Sequence, residues 1–254
     1  MADTPSPHWY EEFYRADYFA AYGPTLTEER TGEEVAFVER VLDLRPGDEI
    51  LDLCCGYGRI AVPLAQHGLR VTGLDLNPAL LDELRERAAA AAIEIDTVHA
   101  DMREIPFEAR FDAVIDIFSS YGYLDSDEED QQVLTRAAKA LKPGGRFLVD
   151  VINREWIVAN YVQHDWHQAD DGTYFIEDRE LDLLTSRNHV NFTIVSPEGE
   201  VRRSAGLHMR LYTLTETVRM LERTGLTFTG VSGAFDGVPY GVHTPRMIVT
   251  ARKG

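Results

Sequence analysis

A glycine-rich turn with acidic residues around it is the part of the sequence best suited to chemistry. Residues 50–59 read ILDLCCGYGR, a hydrophobic run followed by Gly56 and Gly58. Glycine adopts positive φ without strain, and the helix expected next offers unpaired amides to a ligand. Asp75 follows Gly56 at about the 20-residue spacing at which an acidic side chain accepts hydrogen bonds from ribose hydroxyls. The spacing predicts a nucleoside-binding turn.

Two more carboxylates are expected beside this turn. Asp52 ends the first predicted strand and Asp101 follows the third, and ligands of open α/β sheets bind at the carboxyl ends of the strands. The turn also matches the dinucleotide pattern G-x-G-x-x-A. A pyrophosphate there would face Asp52 and Asp75, with Arg59 as the nearby cation. A ligand with an ammonium, a sulfonium and no phosphate suits these carboxylates better, and S-adenosylmethionine is such a ligand.

Alternating strand and helix patterns are predicted to position the turn. Short apolar runs rich in β-branched residues have the character of buried parallel strands. They cover residues 49–53, 70–74, 95–99, 111–117 and 146–152. Helical patterns separate each run from the next. This alternation predicts a doubly wound α/β sheet with right-handed crossovers.

Capping signals predict where the helices begin. A hydroxyl residue followed three positions later by glutamate can satisfy the free amides of a first helical turn. Such capping boxes occur at Thr31–Glu34, Ser126–Glu129 and Thr213–Glu216. Asn77 before Pro78 predicts a cap with proline at the first helical position. The helix after the glycine turn is expected to begin near Gly58, to kink at Pro63 and to end at Gly68.

Two segments lie outside the alternation. Residues 9–22 predict a helix with a tyrosine at every fourth position, at Tyr10, Tyr14, Tyr18 and Tyr22, together with Trp9, Phe13 and Phe19. Residues 172–212 alternate in the manner of antiparallel strands, with a turn at 196–199. A helix and two strands follow, at 214–223, near 226–231 and near 246–251. We therefore predict three parts: an N-terminal helical cap with the α/β core (1–152), inserted antiparallel strands that form a lid over the acceptor (153–212), and the last helix and strand pair of the core (213–254).

Taken together, these motifs resemble the class I S-adenosylmethionine-dependent methyltransferases from about Leu42 to Ile152 and in the terminal strand pair. The D-x-G-x-G-x-G loop of that family corresponds to Asp52-Leu-Cys-Cys-Gly-Tyr-Gly58, in which Cys54 replaces the first glycine. The stretch 111–124 is similar to the fourth strand and its acceptor-side loop, and 141–146 to the turn that enters the fifth strand. The inserted strands are loosely similar to those of sugar N,N-dimethyltransferases. The resemblance implies a Rossmann-like seven-stranded sheet.

The resemblance also implies roles for individual residues. The ribose-binding acid falls on Asp75, and the adenine-contacting acid falls on Asp101, with Met102 beside it. We expect S-adenosylmethionine as the cofactor and a methyltransferase as the activity. The expected cofactor-binding residues are Tyr14, Tyr22, Asp52, Cys54, Gly56, Gly58, Asp75, Leu76, Asp101, Met102 and Phe118.

The acceptor is expected to be a small molecule methylated on nitrogen or oxygen. Tyr123, in the loop after strand four, is predicted to position it, although a core aromatic is an equally good interpretation. His208 and Tyr212 are predicted to share a face of one strand, with Arg210 pointing away, and His208 is the second predicted catalytic residue. A hydroxyl acceptor needs a base, for which His208 or His243 are candidates, and Arg246 is a weaker candidate for substrate contact.

Composition limits the other classes of function. The chain has 254 residues with Lys+Arg 25 against Asp+Glu 43, a net charge of −18 that repels phosphate backbones and anionic membranes. We therefore expect neither nucleic acid nor membrane as a partner. Cys54 and Cys55 are adjacent, so they fit a reducing cytoplasm and cannot form a cysteine zinc site.

Several interpretations stay open beside the methyltransferase. His164-Asp-Trp-His167 is more typical of a loop edge than of half a metal site, and no metal is expected. The alternatives to a methyltransferase are an NAD(P)-dependent oxidoreductase and a nucleoside-binding protein without catalysis. The sequence carries no signal for an oligomeric state.

Overall fold

The computed structural model describes residues 9–14, 22–204 and 206–254. Its α-helices are α1 (Trp9–Phe13), α2 (Glu28–Leu42), α3 (Ala61–Gln66), α4 (Pro78–Ala90), α5 (Asp127–Ala140), α6 (Arg154–Ala159) and α7 (Leu214–Glu222). Its strands are β1 (Glu49–Leu53), β2 (Arg70–Asp75), β3 (Asp96–His99), β4 (Phe111–Asp116), β5 (Leu141–Ile152), β6 (His164–Gln168), β7 (Tyr174–Asp182), β8 (Arg187–Val195), β9 (Val201–Arg203), β10 (Leu207–Arg210), β11 (Leu226–Ser232) and β12 (Arg246–Lys253).

The larger sheet has seven strands in the order β11-β12-β5-β4-β1-β2-β3. Strands β1 to β5 pair in parallel, while β12 runs antiparallel to β5 and β11 antiparallel to β12. The order reverses at β1, which pairs with β2 on one side and β4 on the other. A crevice opens at such a switch point, at the carboxyl ends of the strands. The predicted seven-stranded α/β fold is confirmed.

Helices cover both faces of this sheet, as the prediction of a doubly wound fold requires. On one face, Val38, Leu64 and Leu81 of α2, α3 and α4 pack with Ile50 and other buried side chains of the strands. On the other face, α5 and α7 contribute Leu134 and Leu221 to a second buried cluster. Because both faces are buried, the central strands are apolar almost throughout, which is why their positions could be predicted from apolar runs.

Strand β5 begins earlier than predicted. Residues 141–146, expected to be a turn before the strand, are already part of β5, and Leu141 pairs with Phe111 of β4. The register between β4 and β5 is irregular after this pair, where the Lys-Pro-Gly-Gly segment passes. The turn residues therefore lie within the strand, because pairing with β4 decides its bounds.

One prediction about a helix start is wrong. Helix α2 begins one turn before the predicted box, at Glu28, with the hydroxyl of Thr27 accepting from the amide of Arg30. Thr31 and Glu34 are therefore buried inside α2 and form no capping box. Helix α3 spans Ala61–Gln66, and the amides of Val62 and Leu64, on either side of Pro63, donate to the carbonyls of Gly58 and Ile60. The kink at Pro63 stays a prediction.

The other helix signals are confirmed. Ser126 caps α5 by accepting from the amide of Glu129, and Asn77 caps α4, with Pro78 at its first position. Thr213 and Glu216 form the full reciprocal capping box of α7. The helix after the glycine turn ends as predicted before Gly68, which has a φ of +89°.

The smaller sheet is antiparallel and lies between β5 and α7 in the chain. Its order is β10-β8-β7-β6, with β9 paired to β8. The predicted turn at 196–199 is confirmed by a hydrogen bond of 2.9 Å from the amide of Gly199 to the carbonyl of Ser196. The segment His164 to His167, expected at a loop edge, is instead part of the edge strand β6. The boundaries of the three predicted parts stay predictions.

Helix α1 packs against the smaller sheet. Trp9 and Phe13 are buried with Phe175, Phe192 and Met209 of its strands. The helix predicted over residues 9–22 is described only as α1 and Tyr22; Tyr18 and Phe19 lie outside the described residues. In the described ranges, every helix is too short or too polar to cross a membrane.

Candidate active site

A cavity of about 390 Å³ lies at the carboxyl ends of the parallel strands, beside the switch point at β1 and β4. The predicted residues that line it are Tyr14, Asp52, Cys54, Gly56, Asp75, Leu76, Asp101, Met102, Phe118 and Tyr123. Three predicted site residues, Tyr22, Gly58 and His208, are not among the lining residues. Most of the residues predicted to bind the cofactor are therefore brought together at one place.

Asp75 connects the glycine turn to the end of β2. One carboxylate oxygen accepts from the amide of Gly56 and the other from the amide of Asn77, both at 2.8 Å. Burial raises the pKa of Asp75 above its usual value, although the hydrogen bonds from the backbone act in the opposite direction. Each oxygen retains a further lone pair, so the carboxylate can still accept from a ligand hydroxyl.

Asp52 is the least satisfied acidic group of the site. Its side chain is buried, and among the described residues its Oδ2 atom has no hydrogen-bond partner. Burial, followed by the neighbouring carboxylate of Asp116, raises the pKa of Asp52 to about 8. A buried acceptor without a partner is unfavourable unless a ligand donates to it. A cation with N–H donors, such as the ammonium of S-adenosylmethionine, fits this oxygen.

The two glycines of the turn have different roles. Gly56 lines the cavity with a φ of +54°. Gly58 has a φ of +82°, and a Cβ placed on it would lie 2.8 Å from Cγ of Leu84 and 3.2 Å from Cγ2 of Val62. Gly58 thus allows α3 and α4 to pack closely and does not line the cavity, so the prediction that it contacts the cofactor finds no support in this geometry.

Cys54 occupies the position of the missing family glycine. Its φ is +53°, in the left-handed region that glycine prefers, and its thiol lies 3.7 Å from the sulfur of Met102. Burial, and then the carboxylate of Asp116, raises the pKa of Cys54 well above its usual value. A thiol that stays protonated is a poor nucleophile, which favours the interpretation of Cys54 as a small buried side chain.

Asp101 follows β3 and lines the cavity, but its carboxylate is largely engaged. Nε and Nη2 of Arg103 donate to its two oxygens at 3.0 and 2.6 Å. Arg103 also pairs with Glu129 at the start of α5. The pairing orients Asp101 at the cavity wall, and its contact with adenine stays a prediction.

Arg59 lines the cavity but is already neutralised. Its guanidinium forms an ion pair with the buried Glu34 and a hydrogen bond of 3.3 Å to the hydroxyl of Thr31. A pyrophosphate in this cavity would therefore meet buried carboxylates and a cation that already has a carboxylate partner. The geometry agrees with the electrostatic argument against a dinucleotide.

On the acceptor side, Tyr123 lines the cavity and its hydroxyl is hydrogen-bonded to that of Tyr14. The ring of Trp9 packs edge-on against Tyr123, with 4.9 Å between the centroids. Helix α1 and the loop after β4 therefore form one wall of the cavity. Tyr10, which was not among the predicted site residues, lines the same wall.

The position of His208 differs from the prediction. His208 is buried behind Trp9, with 5.7 Å between the ring centroids, and its Nδ1 lies 3.0 Å from Nδ1 of His189. The ring of Trp9 stands between His208 and the cavity. In this arrangement His208 does not reach an acceptor.

Tyr212 and Arg210 also differ from the prediction. The prediction that Arg210 points away from His208 is wrong, because residues two apart in a strand lie on the same face. Strand β10 ends at Arg210, so the alternation does not extend to Tyr212. The hydroxyl of Tyr212 donates to Asp130 at 2.8 Å, and Arg210 pairs with Asp127 and Glu216. Both side chains hold the smaller sheet to α5 and α7 and do not line the cavity.

The other candidates for substrate contact lie elsewhere. Tyr22 packs against the rings of Phe13 and Phe192, with centroids 6.4 and 6.5 Å apart, and so supports α1 from behind. His243 is exposed, and neither it nor Arg246 lines the cavity.

Sequence reasoning missed a buried acid at the end of β4. The hydroxyl of Ser120 lines the cavity and donates to the carboxylate of Asp116. Burial raises the pKa of Asp116 to about 7. The signal was present, because Asp116 ends its strand as Asp75 does, and Asp52 is one residue from the end of β1. In the described ranges, no group of three or more His, Cys, Asp or Glu side chains is arranged to hold a metal ion.

Comparison with known proteins agrees with this site. The methyltransferase domain family matches residues 50–145. The cypemycin N-terminal methyltransferase from Streptomyces sp is 27% identical over 212 residues, covering 82% of this chain and 84% of its own. The CcbJ methyltransferase from Streptomyces caelestis superposes with a TM-score of 0.80 at 23% identity, covering 94% of this chain and 96% of its own. An amino pentose methyltransferase from Micromonospora echinaspora involved in calicheamicin biosynthesis, solved with S-adenosylmethionine bound, superposes with a TM-score of 0.71 at 19% identity and covers 95% and 98%.

The fold and the matched domain define a class I methyltransferase. Residues 50–145 match the methyltransferase domain family, and the chain is an S-adenosylmethionine-dependent methyltransferase with the class I fold. The predicted activity and cofactor are confirmed, and the oxidoreductase alternative is set aside.

Proposed function

We propose that this enzyme transfers the methyl group of S-adenosylmethionine to a nitrogen, or to an oxygen, of a small-molecule acceptor. The unpartnered oxygen of the buried Asp52 carries the proposal, because it suits an ammonium-bearing ligand at the carboxyl edge of the sheet. An amine acceptor is favoured because two similar proteins are named an amino pentose methyltransferase and the cypemycin N-terminal methyltransferase.

Each end of the cavity has a proposed role. Asp52 accepts from the ammonium of the cofactor, Asp75 from its ribose hydroxyls, and Asp101 with Met102 lies beside its adenine. When bound, S-adenosylmethionine supplies a methyl group on a sulfonium that is its own leaving group, so the protein mainly supplies proximity and alignment.

The acceptor would lie against the wall of the cavity formed by Tyr10, Tyr14 and Tyr123, and the smaller sheet would cover it as a lid. Tyr14 and Tyr123 would orient its nucleophile in line with the methyl group. An amine must lose one proton, and the Ser120 hydroxyl could relay it to the carboxylate of Asp116, to which that hydroxyl donates a hydrogen bond. With a net charge of −18, the enzyme is expected to act on a free small molecule and not on nucleic acid. The cytoplasm is its proposed location, because the adjacent Cys54 and Cys55 fit a reducing compartment.

The first test is calorimetry of the full chain with S-adenosylmethionine, S-adenosylhomocysteine and NADH. We expect binding of the first two and no binding of NADH; tight binding of NADH alone would overturn the assignment. The second test offers methyl-labelled S-adenosylmethionine with panels of amino sugars, other amines and hydroxyl compounds. Transfer to an amine is the expected result. Cofactor binding without transfer to any member of either panel would favour a nucleoside-binding protein without catalysis.

A further inference from the structure

The loop after β4 holds two consecutive non-glycine residues in the left-handed region. Phe118 has a φ of +76° and Ser119 a φ of +68°. Side chains of L-residues make this conformation unfavourable, so it persists only where the surroundings determine it. Phe118 lines the cavity, and its conformation therefore decides the shape of the cavity wall.

The surroundings that determine it come from two other strands. Asp150 of β5 is fully buried; its Oδ2 accepts from the amide of Phe118, and its carbonyl accepts from the amide of Ser119, both at 2.9 Å. Arg246 of β12 donates to the two oxygens of Asp150 at 2.7 and 2.6 Å. The Nη2 atom of Arg246 also donates to the hydroxyl of Ser119 at 2.8 Å.

This arrangement is specific to an arginine. A planar guanidinium can bind both oxygens of Asp150 and the Ser119 hydroxyl together, whereas the single ammonium of lysine is a compact point charge that cannot reproduce the fork. The Cζ atom of Arg246 also lies 6.0 Å from the centroid of the Phe118 ring. The pair thus contacts both the backbone and the ring of the residue that reaches the cavity.

We infer that Asp150 and Arg246 are positioning residues for the cofactor site: they hold Phe118 and Ser119 in the left-handed conformation and so place the Phe118 ring against the bound nucleoside. Neither residue lines the cavity itself. The inference rests on the proposed function for the identity of the ligand that Phe118 faces.

The experiment is calorimetry of the full chain with S-adenosylhomocysteine, with the thermal midpoint of each variant measured in parallel. Arg246→Lys keeps a positive charge but loses the paired hydrogen bonds of the guanidinium to Asp150, and we expect its affinity for S-adenosylhomocysteine to fall by about tenfold. Asp150→Asn is a second variant with the same expectation. Arg252→Lys is the matched control, because Arg252 lies on the same strand but bonds the carbonyl of Gly144, whose segment lines a separate cavity. Its affinity should be unchanged.

A double-mutant cycle separates positioning from a general loss of stability. Phe118→Ala should itself weaken binding, and adding Arg246→Lys to it should weaken binding little further, because Arg246 acts through Phe118. Arg210→Lys, which loosens another partly buried arginine, should lower the thermal midpoint without changing affinity. Additive losses in the cycle, or an unchanged affinity of Arg246→Lys, would overturn the inference. Wild-type protein that does not bind S-adenosylhomocysteine would instead overturn the proposed function.

Discussion

Asp52→Asn is expected to stabilise the free enzyme and to weaken its binding of the cofactor. The substitution keeps the shape of the side chain and removes its charge. In the folded protein the pKa of Asp52 is raised from 3.8 to about 8, with burial as the main cause. A carboxyl group whose pKa is higher in the folded state stabilises the protein when protonated, and this contribution is lost as the pH rises from about 4 to about 8. Because asparagine does not ionise, the stability of the variant does not fall in this way as the pH rises.

The size of the effect follows from the two pKa values. At about 1.36 kcal/mol per pKa unit, the loss of stability attributable to Asp52 grows by roughly 2–3 kcal/mol between pH 6 and pH 9. For a chain of this size that corresponds to a thermal midpoint difference of about 5–10 °C. The difference in midpoint between variant and wild type should therefore widen by this amount over that interval, which scanning calorimetry at several pH values measures.

Binding provides the second readout. Loss of one charge-assisted hydrogen bond costs about 1.5–3 kcal/mol, or roughly a 10- to 150-fold loss of affinity for S-adenosylmethionine. At pH 7 the free wild type holds Asp52 mostly protonated, so cofactor binding should release close to one proton, and the variant should release almost none. Titrations in two buffers with different ionisation enthalpies measure the released protons.

Asp112→Asn is the control. Although burial acts to raise it, hydrogen bonds from the amide of Glu49 and the ammonium of Lys142 leave the pKa of Asp112 below its usual value. This substitution should destabilise the protein at neutral pH and leave cofactor affinity unchanged. The reasoning about Asp52 is refuted if Asp52→Asn binds S-adenosylmethionine as tightly as the wild type and releases the same proton.

Four further predictions concern single residues. Gly58→Ala should lower the free energy of unfolding by about 2–4 kcal/mol in denaturant titrations, because alanine is strained in the left-handed region and its Cβ would overlap with Leu84. Adding Leu84→Ala should make the glycine substitution less costly, and equal stability of wild type and Gly58→Ala would contradict the prediction. Cys54→Gly should retain cofactor affinity by calorimetry and change stability by less than about 1 kcal/mol, because relieved strain offsets lost packing; a folded variant without activity would indicate a role for the thiol. Tyr123→Phe should lower turnover with little effect on cofactor affinity, because Tyr123 lines the cavity on the acceptor side. His208→Ala should mainly lower the free energy of unfolding, by about 1–3 kcal/mol, because His208 is buried behind Trp9. A His208→Ala variant of full stability but reduced turnover would restore the catalytic role of His208.

The strands of the core could be predicted because their signals are local. Strand β1 was predicted over 49–53 and lies there, since a strand buried on both faces is a continuous apolar run. Helix starts were less certain. Thr31 and Glu34 have the spacing of a capping box, but Thr27 caps the helix one turn earlier and Glu34 pairs with Arg59 inside the protein.

Candidate residues on the inserted strands were the hardest to assign. Alternation predicts which face of a strand a side chain occupies, but not what covers that face. His208 is buried, and Trp9 from the distant helix α1 separates it from the cavity. Arg246 was a candidate for substrate contact, but it pairs with Asp150 on the adjacent strand. The two residues are 96 positions apart in the sequence, so no local pattern predicts the pair.

The sequence by itself determines that Asp52, Asp75 and Asp101 lie at one edge of the sheet, because each lies within two residues of the end of a parallel strand, and parallel strands end on the same side. Only the tertiary structure decides which of these groups can still bind a ligand. Arg103 engages Asp101 and backbone amides engage Asp75, whereas one oxygen of Asp52 has no partner among the described residues. The reason is physical: hydrogen bonding and burial depend on neighbours that the fold brings together, and these set both the charge of each carboxylate and its capacity to bind.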